Sequence, residues 1–136
     1  MLAVDLNVAE ESRWFSPQAR QQIEAGLPYG EFDALQAALK ISADRLAKAA
    51  GIHPRTLQRR RKDGRLTFVE SDRLYRFMDL FQRASLALES KSAAASWLAR
   101  PGARFDGLAP LEYASTEPGY QELLLIIEGI ADDSFG

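Results

Sequence analysis

Residues 42–66, SADRLAKAAGIHPRTLQRRRKDGRL, hold the pattern on which the fold prediction depends. Leu46-Ala47 is followed by Gly51-Ile52, by His53-Pro54 and then by Leu57. Two helices that cross steeply need a small residue for close approach, a glycine for a left-handed turn and apolar residues that fix the angle. The spacing therefore predicts a helix-turn-helix unit.

The second helix of this unit predicts a DNA-reading face. Because helical residues three, four and seven apart share a face, Arg55, Gln58, Arg59 and Lys62 form one stripe pointing away from Leu57. Arginine presents a planar fork to guanine or phosphate, and glutamine can pair with adenine. We predict base readout by Arg55, Gln58 and Arg59. Contacts with the DNA backbone are predicted for Thr56, Arg60, Arg61, Lys62 and Arg65.

Two alternatives concern single features of this helix. A basic run is more often a solvated surface than a nucleic-acid site, and His53 before a proline is more often a helix cap than a DNA contact. Arg60 and Arg61 also stand where many such helices keep an apolar residue, so we expect their aliphatic stems to cover the gap.

Charge is unevenly distributed along the chain. The 136 residues carry a net charge of -2, yet residues 42–66 contain eight bases and two acids. The rest of the chain is therefore acidic. A basic island in an acidic protein indicates a polyanionic partner at one face and a different use for the remainder.

Composition limits the other function classes. Hydrophobic residues make up 46% and charged residues 26%, which is typical of folded globular proteins. With no cysteine, one histidine and no phosphate-binding glycine loop, we expect neither a metal site, nor a cofactor, nor catalysis. Residues 1–14 lack the features of an export signal, and no segment reaches the about 20 apolar residues of a membrane span. A cytoplasmic location is expected.

Periodicity and cap residues predict an all-α fold, because alternating β-branched runs are missing. Trp97-Leu98 and the stripe of residues 74–88 are expected to be core, and Ser92 is expected to cap the sixth helix. We divide the chain into an N-terminal segment (1–28), a helix-turn-helix region (29–66) and a C-terminal domain (67–136). The predicted helices cover residues 17–25, 30–40, 43–50, 54–63, 68–88, 93–99 and 116 to the end, with a loop at 101–110.

An ordered series of short motifs in the second half resembles the Xre/MbcA/ParS-type antitoxins of RES-Xre toxin–antitoxin modules. The resemblance covers roughly residues 30–136, although Ala109 stands where a threonine or serine is common and Tyr113 replaces a frequent leucine. The series is Glu70-Ser71-Asp72-Arg73-Leu74, Trp97-Leu98, Pro101, Gly107, Pro110-Leu111-Glu112, Thr116, Gly119 and Ile127-Glu128-Gly129-Ile130.

The resemblance implies two activities. In that family the helix-turn-helix represses the module's own promoter, and the C-terminal domain binds a RES-fold toxin that consumes NAD or uses it for ADP-ribosylation. The C-terminal segment is then expected to block the toxin's active site, and a homodimer is expected on promoter DNA. Candidate toxin contacts are Pro110, Leu111, Tyr113, Ile127, Glu128, Ile130, Asp132, Asp133 and Phe135.

Two other functions remain open from the sequence. The chain can be a stand-alone helix-turn-helix transcriptional regulator whose C-terminal half only dimerises. It can also be a protein-binding adaptor that has lost its affinity for DNA, although the basic island argues against this.

Overall fold

The computed structural model describes residues 17–135 of the chain, with side chains described as far as Ala131. All regular secondary structure in this part of the chain is helical. One isolated antiparallel bridge joins Pro28 to Arg65, and a short 3-10 turn spans Ala103–Phe105. The all-α prediction is confirmed. The helices are α1 (Pro17–Ala25), α2 (Gly30–Leu39), α3 (Ala43–Ala49), α4 (Pro54–Asp63), α5 (Phe68–Leu88), α6 (Lys91–Ala99), α7 (Pro110–Tyr113) and α8 (Glu117–Phe135).

Local capping chemistry sets most helix ends. The Ser42 hydroxyl accepts a hydrogen bond from the backbone N–H of Arg45 at 3.1 Å, as predicted for the start of α3. Ser90, and not Ser92, caps α6, because its hydroxyl accepts from the N–H of Ala93 at 3.0 Å. Helix α6 therefore begins earlier than predicted.

Helix α5 is the centre of the packing. It lies against α1, α2, α6 and α8, and one hydrophobic cluster runs without a break from Leu27 to Ile127. The predicted stripe is confirmed, since residues 74, 77, 78, 81 and 84 are buried and Leu88 is half-buried. Leu98 is likewise buried, whereas Trp97 is only half-buried at the edge of the core.

A polar network fixes α8 on α5. The carboxylate of Asp79 is buried and accepts hydrogen bonds from the hydroxyl of Tyr120 at 2.5 Å and from Nε of Arg83 at 3.0 Å. Burial raises the pKa of Asp79, and these two partners offset only part of the rise. The network joins residues 41 positions apart and so fixes the first turn of α8.

Arg45 ties the helix-turn-helix to the C-terminal half. Its guanidinium donates to the carbonyl of Ala99 at 2.7 Å and to the carboxylate of Glu112 at 2.9 Å. Glu112 also accepts from the backbone N–H of Ala109 at 3.2 Å, which caps α7, a short helix that the sequence did not predict. One arginine thus links α3, α6 and α7.

Two kinds of feature are absent from the described residues. No helix in residues 17–135 is long and apolar enough to cross a membrane. Nor do these residues contain a group of three or more histidine, aspartate or glutamate side chains able to hold a metal ion.

Candidate nucleic-acid interface

Helices α3 and α4 form the predicted helix-turn-helix. Leu46, Ala47, Ile52 and Leu57 are all buried, and the N–H of Ile52 donates to the carbonyl of Ala47 at 2.8 Å. Gly51 adopts a left-handed conformation with φ of +73°, which a side chain would strain. Each residue thus has the packing or turn role that its type predicted.

One face of α4 is exposed and basic. The side chains of Arg55, Gln58, Arg59 and Lys62 are exposed, and none of them makes a hydrogen bond or an ion pair with another residue of the described segment. Their spacing of three, four and seven places them on a single stripe. The structure therefore leaves this face open to a ligand.

The arginines on the opposite face of α4 contact other residues of the protein. Arg60 donates to the carboxylate of Glu70 at 2.8 Å, and only 18% of its side chain is exposed. This ion pair gives Arg60 a role inside the protein, and its contact with DNA stays a prediction. Arg61 lies over the ring of Tyr29, 5.6 Å from its centroid, and donates to the hydroxyl at 3.2 Å. Both arginines hold α4 against its neighbours.

The Arg60–Glu70 pair also secures the start of α5. Glu70 accepts from the N–H of Thr67 while the Thr67 hydroxyl accepts from the N–H of Glu70, which is a capping box. Burial alone raises the pKa of Glu70, but the hydrogen bonds from Arg60 and Thr67 outweigh it and hold the pKa below its usual range. Glu70 is therefore charged at neutral pH and locks α4 to α5.

Three other candidates have partly local roles. The ring nitrogen Nδ1 of His53 accepts from the N–H of Arg55 at 3.1 Å, which confirms the prediction of a helix cap. Thr56 is half-buried in the first turn of α4. Arg65 is exposed, but one of its Nη atoms donates to the carbonyl of Gly26 at 2.5 Å, so only its remaining donors face solvent.

The sequence of this unit matches a known family. Residues 18–79 match the family described as Antitoxin Xre-like helix-turn-helix domain. Residues 18–79 are thus similar to the helix-turn-helix domain of Xre-like antitoxins. The match runs from α1 into α5 and contains the whole exposed stripe of α4, so the predicted resemblance to Xre-type antitoxins is confirmed.

A curated relative supports the same conclusion. The Antitoxin Xre of Pseudomonas putida strain KT2440 is 39% identical over 80 residues, which cover 55% of this chain and 50% of the relative. The chain thus spans about half the length of the curated relative that it matches.

Outside the Xre-like domain, burial corrects part of the predicted toxin surface. Pro110, Leu111 and Ile127 are buried in the chain's own core, so they offer no surface to a partner. Tyr113 is half-buried, with its ring 5.1 Å from that of Phe105. Packing explains all four positions.

The other predicted toxin contacts lie on or beyond the described part of α8. Glu128 is exposed and Ile130 is half-buried. The side chains of Asp132, Asp133 and Phe135 lie outside the described residues.

Sequence reasoning missed a groove beside α8. A cavity of about 510 Å³ lies between the end of α6, the 3-10 turn and α8, and its lining includes Trp97, Arg104, Leu125, Gly129 and Ile130. Residues 123–127 are all apolar, so α8 has more hydrophobic surface than one buried face needs. Leu123 packs into the core, and this orientation of α8 determines which of the others stay exposed. Leu125 is left 69% exposed.

Proposed function

We propose that this chain is the antitoxin of a type II toxin–antitoxin module. Through α4 it binds its own promoter as a dimer, and through its C-terminal half it inhibits a RES-fold toxin that consumes NAD. The observation that carries the DNA-binding part is the division of α4 into an unpaired basic face and an internally paired one. The toxin-binding part is supported by the resemblance, by the relative's name and by the groove beside α8.

A polyanion explains the exposed stripe better than solvation does. Arg55 and Arg59 are four residues apart and Arg59 and Lys62 are three apart, so the cations repel one another on the helix surface. No acid among the described residues pairs with them. A row of phosphates would remove this repulsion, and the rigid attachment of α4 through Arg60 would keep the stripe in one orientation for binding.

The DNA-binding proposal is tested with the Arg55→Ala/Arg59→Ala variant and the DNA upstream of the chain's own reading frame. Each replacement is expected to cost about 1–3 kcal/mol of binding free energy and to reduce the preference for promoter over unrelated DNA. Arg104→Ala is the matched control, since Arg104 is exposed but lies outside the Xre-like domain. Unchanged promoter affinity in the double variant would refute the assignment.

The groove beside α8 is our proposed docking surface for the toxin. Leu125 supplies an exposed apolar anchor, Arg104 supplies a charge at the rim, and a Cβ atom on Gly129 would meet nothing within 4 Å. Because the chain's own packing does not need a glycine in mid-helix, close approach of another protein is a reason for its presence.

Co-expression with the RES-fold toxin encoded beside the chain tests this surface, with growth and NAD level as readouts. We expect Leu125→Asp and Arg104→Ala to lose protection at unchanged protein level, while the Arg55→Ala/Arg59→Ala variant protects fully. Deletion of residues 132–136 keeps the α8 residues that pack on the core, as far as Ala131. It tests separately whether residues 132–136 enter the toxin's cleft. If every variant, the deletion included, still protects, the toxin contact lies elsewhere. If the intact chain binds its promoter but never protects, it is a stand-alone regulator.

A further inference from the structure

Two adjacent apolar side chains at the start of α5 are exposed to solvent. Phe68 is 55% exposed and Val69 is 56% exposed, and both precede the buried part of the helix. The preceding Thr67 already caps α5, so helix initiation does not require apolar residues at these two positions. We call this pair the Phe68–Val69 face.

The Phe68–Val69 face is rigidly connected to the DNA-reading helix. Gly64 is the C-cap of α4 and adopts a left-handed conformation, and Thr67, three residues later, is the N-cap of α5. The ion pair of Arg60 with Glu70 crosses this junction, and Glu70 directly follows Val69 in the chain. The face and the exposed stripe of α4 therefore keep a fixed relation to each other.

We propose that the Phe68–Val69 face contacts the same face of a second copy of this chain when two copies occupy neighbouring half-sites of DNA. The inference rests on the proposed DNA binding. A dimer on two half-sites has two-fold symmetry, which brings one patch against its own copy, and an uncharged apolar patch is complementary to itself. Apolar side chains do not neutralise phosphate, so DNA is a poorer match for this face.

The size of the face determines when the contact forms. Phe68 and Val69 together expose apolar area on the order of 200 Å² per copy, against about 800 Å² per partner in a stable interface. The contact is therefore too small to hold two free copies together. On DNA, where two bound copies have an effective concentration on the order of millimolar, a weak contact gives about a tenfold gain in affinity for the second copy.

The experiment uses a duplex selected from a random pool by the full-length chain, its isolated half-site, and a version with about 5 extra base pairs, half a helical turn, between the half-sites. We compare the parent chain with Phe68→Ser/Val69→Ser. Leu86→Ser is the matched control, because Leu86 is 49% exposed at the other end of α5. Filling of one and two half-sites is measured by gel shift.

The parent chain and Leu86→Ser are expected to fill the two half-sites with about tenfold cooperativity, which the half-turn insertion removes. Phe68→Ser/Val69→Ser is expected to bind the single half-site normally and to lose the cooperativity. Retained cooperativity in that variant overturns the proposal, as does independent filling by the parent or a weakened half-site affinity that shows the face contacts DNA. A parent chain that enriches no duplex and binds none refutes the proposed DNA binding itself, which is a separate failure.

Discussion

Replacing neighbouring arginines of α4 separates the two faces of the helix. Arg60→Ala removes the ion pair with Glu70, whereas Arg59→Ala removes an exposed cation that has no partner among the described residues. The two side chains are identical and adjacent in sequence. We expect the first variant to lose stability and the second to lose DNA affinity.

The size of the stability loss follows from the burial of the pair. Only 18% of the Arg60 side chain and 12% of the Glu70 side chain are exposed, and Nε lies 2.8 Å from the carboxylate oxygen. A charge-assisted hydrogen bond of this kind contributes about 1.5–3 kcal/mol, because its loss leaves a largely buried carboxylate with only the Thr67 N–H. For a protein of this length, that loss of stability corresponds to a fall in Tm of about 5–10 °C.

The difference between the wild type and Arg60→Ala depends on pH in one direction. The pKa of Glu70 is held below its usual value of about 4.3 in the folded protein, so the pair stabilises the fold fully above that pH. The contribution is lost as the pH falls through the lowered pKa, because protonated Glu70 no longer attracts Arg60. The free-energy gap between the two proteins is therefore full at pH 7 and shrinks below about pH 4.

Urea unfolding of the wild type, Arg60→Ala and Arg59→Ala at pH 7 and pH 3.5 measures both effects. Arg59→Ala is expected to stay within about 0.5 kcal/mol of the wild type, since it is exposed and its loss relieves repulsion from Arg55. Wild-type stability of Arg60→Ala at pH 7, or an equal destabilisation of Arg59→Ala, would refute the assignment of these two arginines to opposite faces.

Helix α8 provides two further predictions. Tyr120→Phe removes a donor to the buried Asp79 carboxylate and is expected to cost about 1–3 kcal/mol at pH 7, measured by urea unfolding. Because burial raises the pKa of Asp79, this cost shrinks as the pH falls through that raised pKa, and a cost that grows on acidification contradicts the account. Gly119→Ala is expected to destabilise the fold by about 1–3 kcal/mol, because its Cβ would overlap the Tyr113 carbonyl oxygen. Gly129→Ala has open space around its Cβ and is expected to stabilise the fold slightly. Equal shifts in the Tm of the two variants would disprove this contrast.

The sequence predicted most helix positions because their signals are local. The serine at 42, the proline at 54 and the glycine at 51 each act on the backbone within a few residues, so their effect does not depend on the rest of the fold. At the start of α6, two local signals compete for the capping position. Both Ser90 and Ser92 can cap a helix, but α5 ends at Glu89 in a left-handed conformation, so Ser90 is the first extended residue and caps α6.

The sequence analysis missed helix α7 although part of its signal is local, with Pro110 at the first helical position and Glu112 at the third. Ala109 occupies the N-cap position and has no side-chain acceptor. The N–H of Ala109 is satisfied by Glu112, and Glu112 is held by Arg45, which lies 67 residues away in sequence. No pattern within the loop reports that partner. The same argument applies to the groove beside α8, whose walls come from three separate elements.

The division of α4 into an exposed, unpaired face and an internally paired face was contained in the periodicity but not in the residue types. Arg60 and Arg61 lie three and four residues after the buried Leu57 and so share its face, which the basic charge alone conceals. Counting cations also overestimates the charge available to DNA, because two of the eight bases in residues 42–66 are paired with carboxylates inside the protein, Arg45 with Glu112 and Arg60 with Glu70. Arg61 and Arg65 donate to neutral oxygen atoms and keep their charge. We therefore expect the salt dependence of DNA binding to reflect at most about six contacts, with a slope near -0.9 for each.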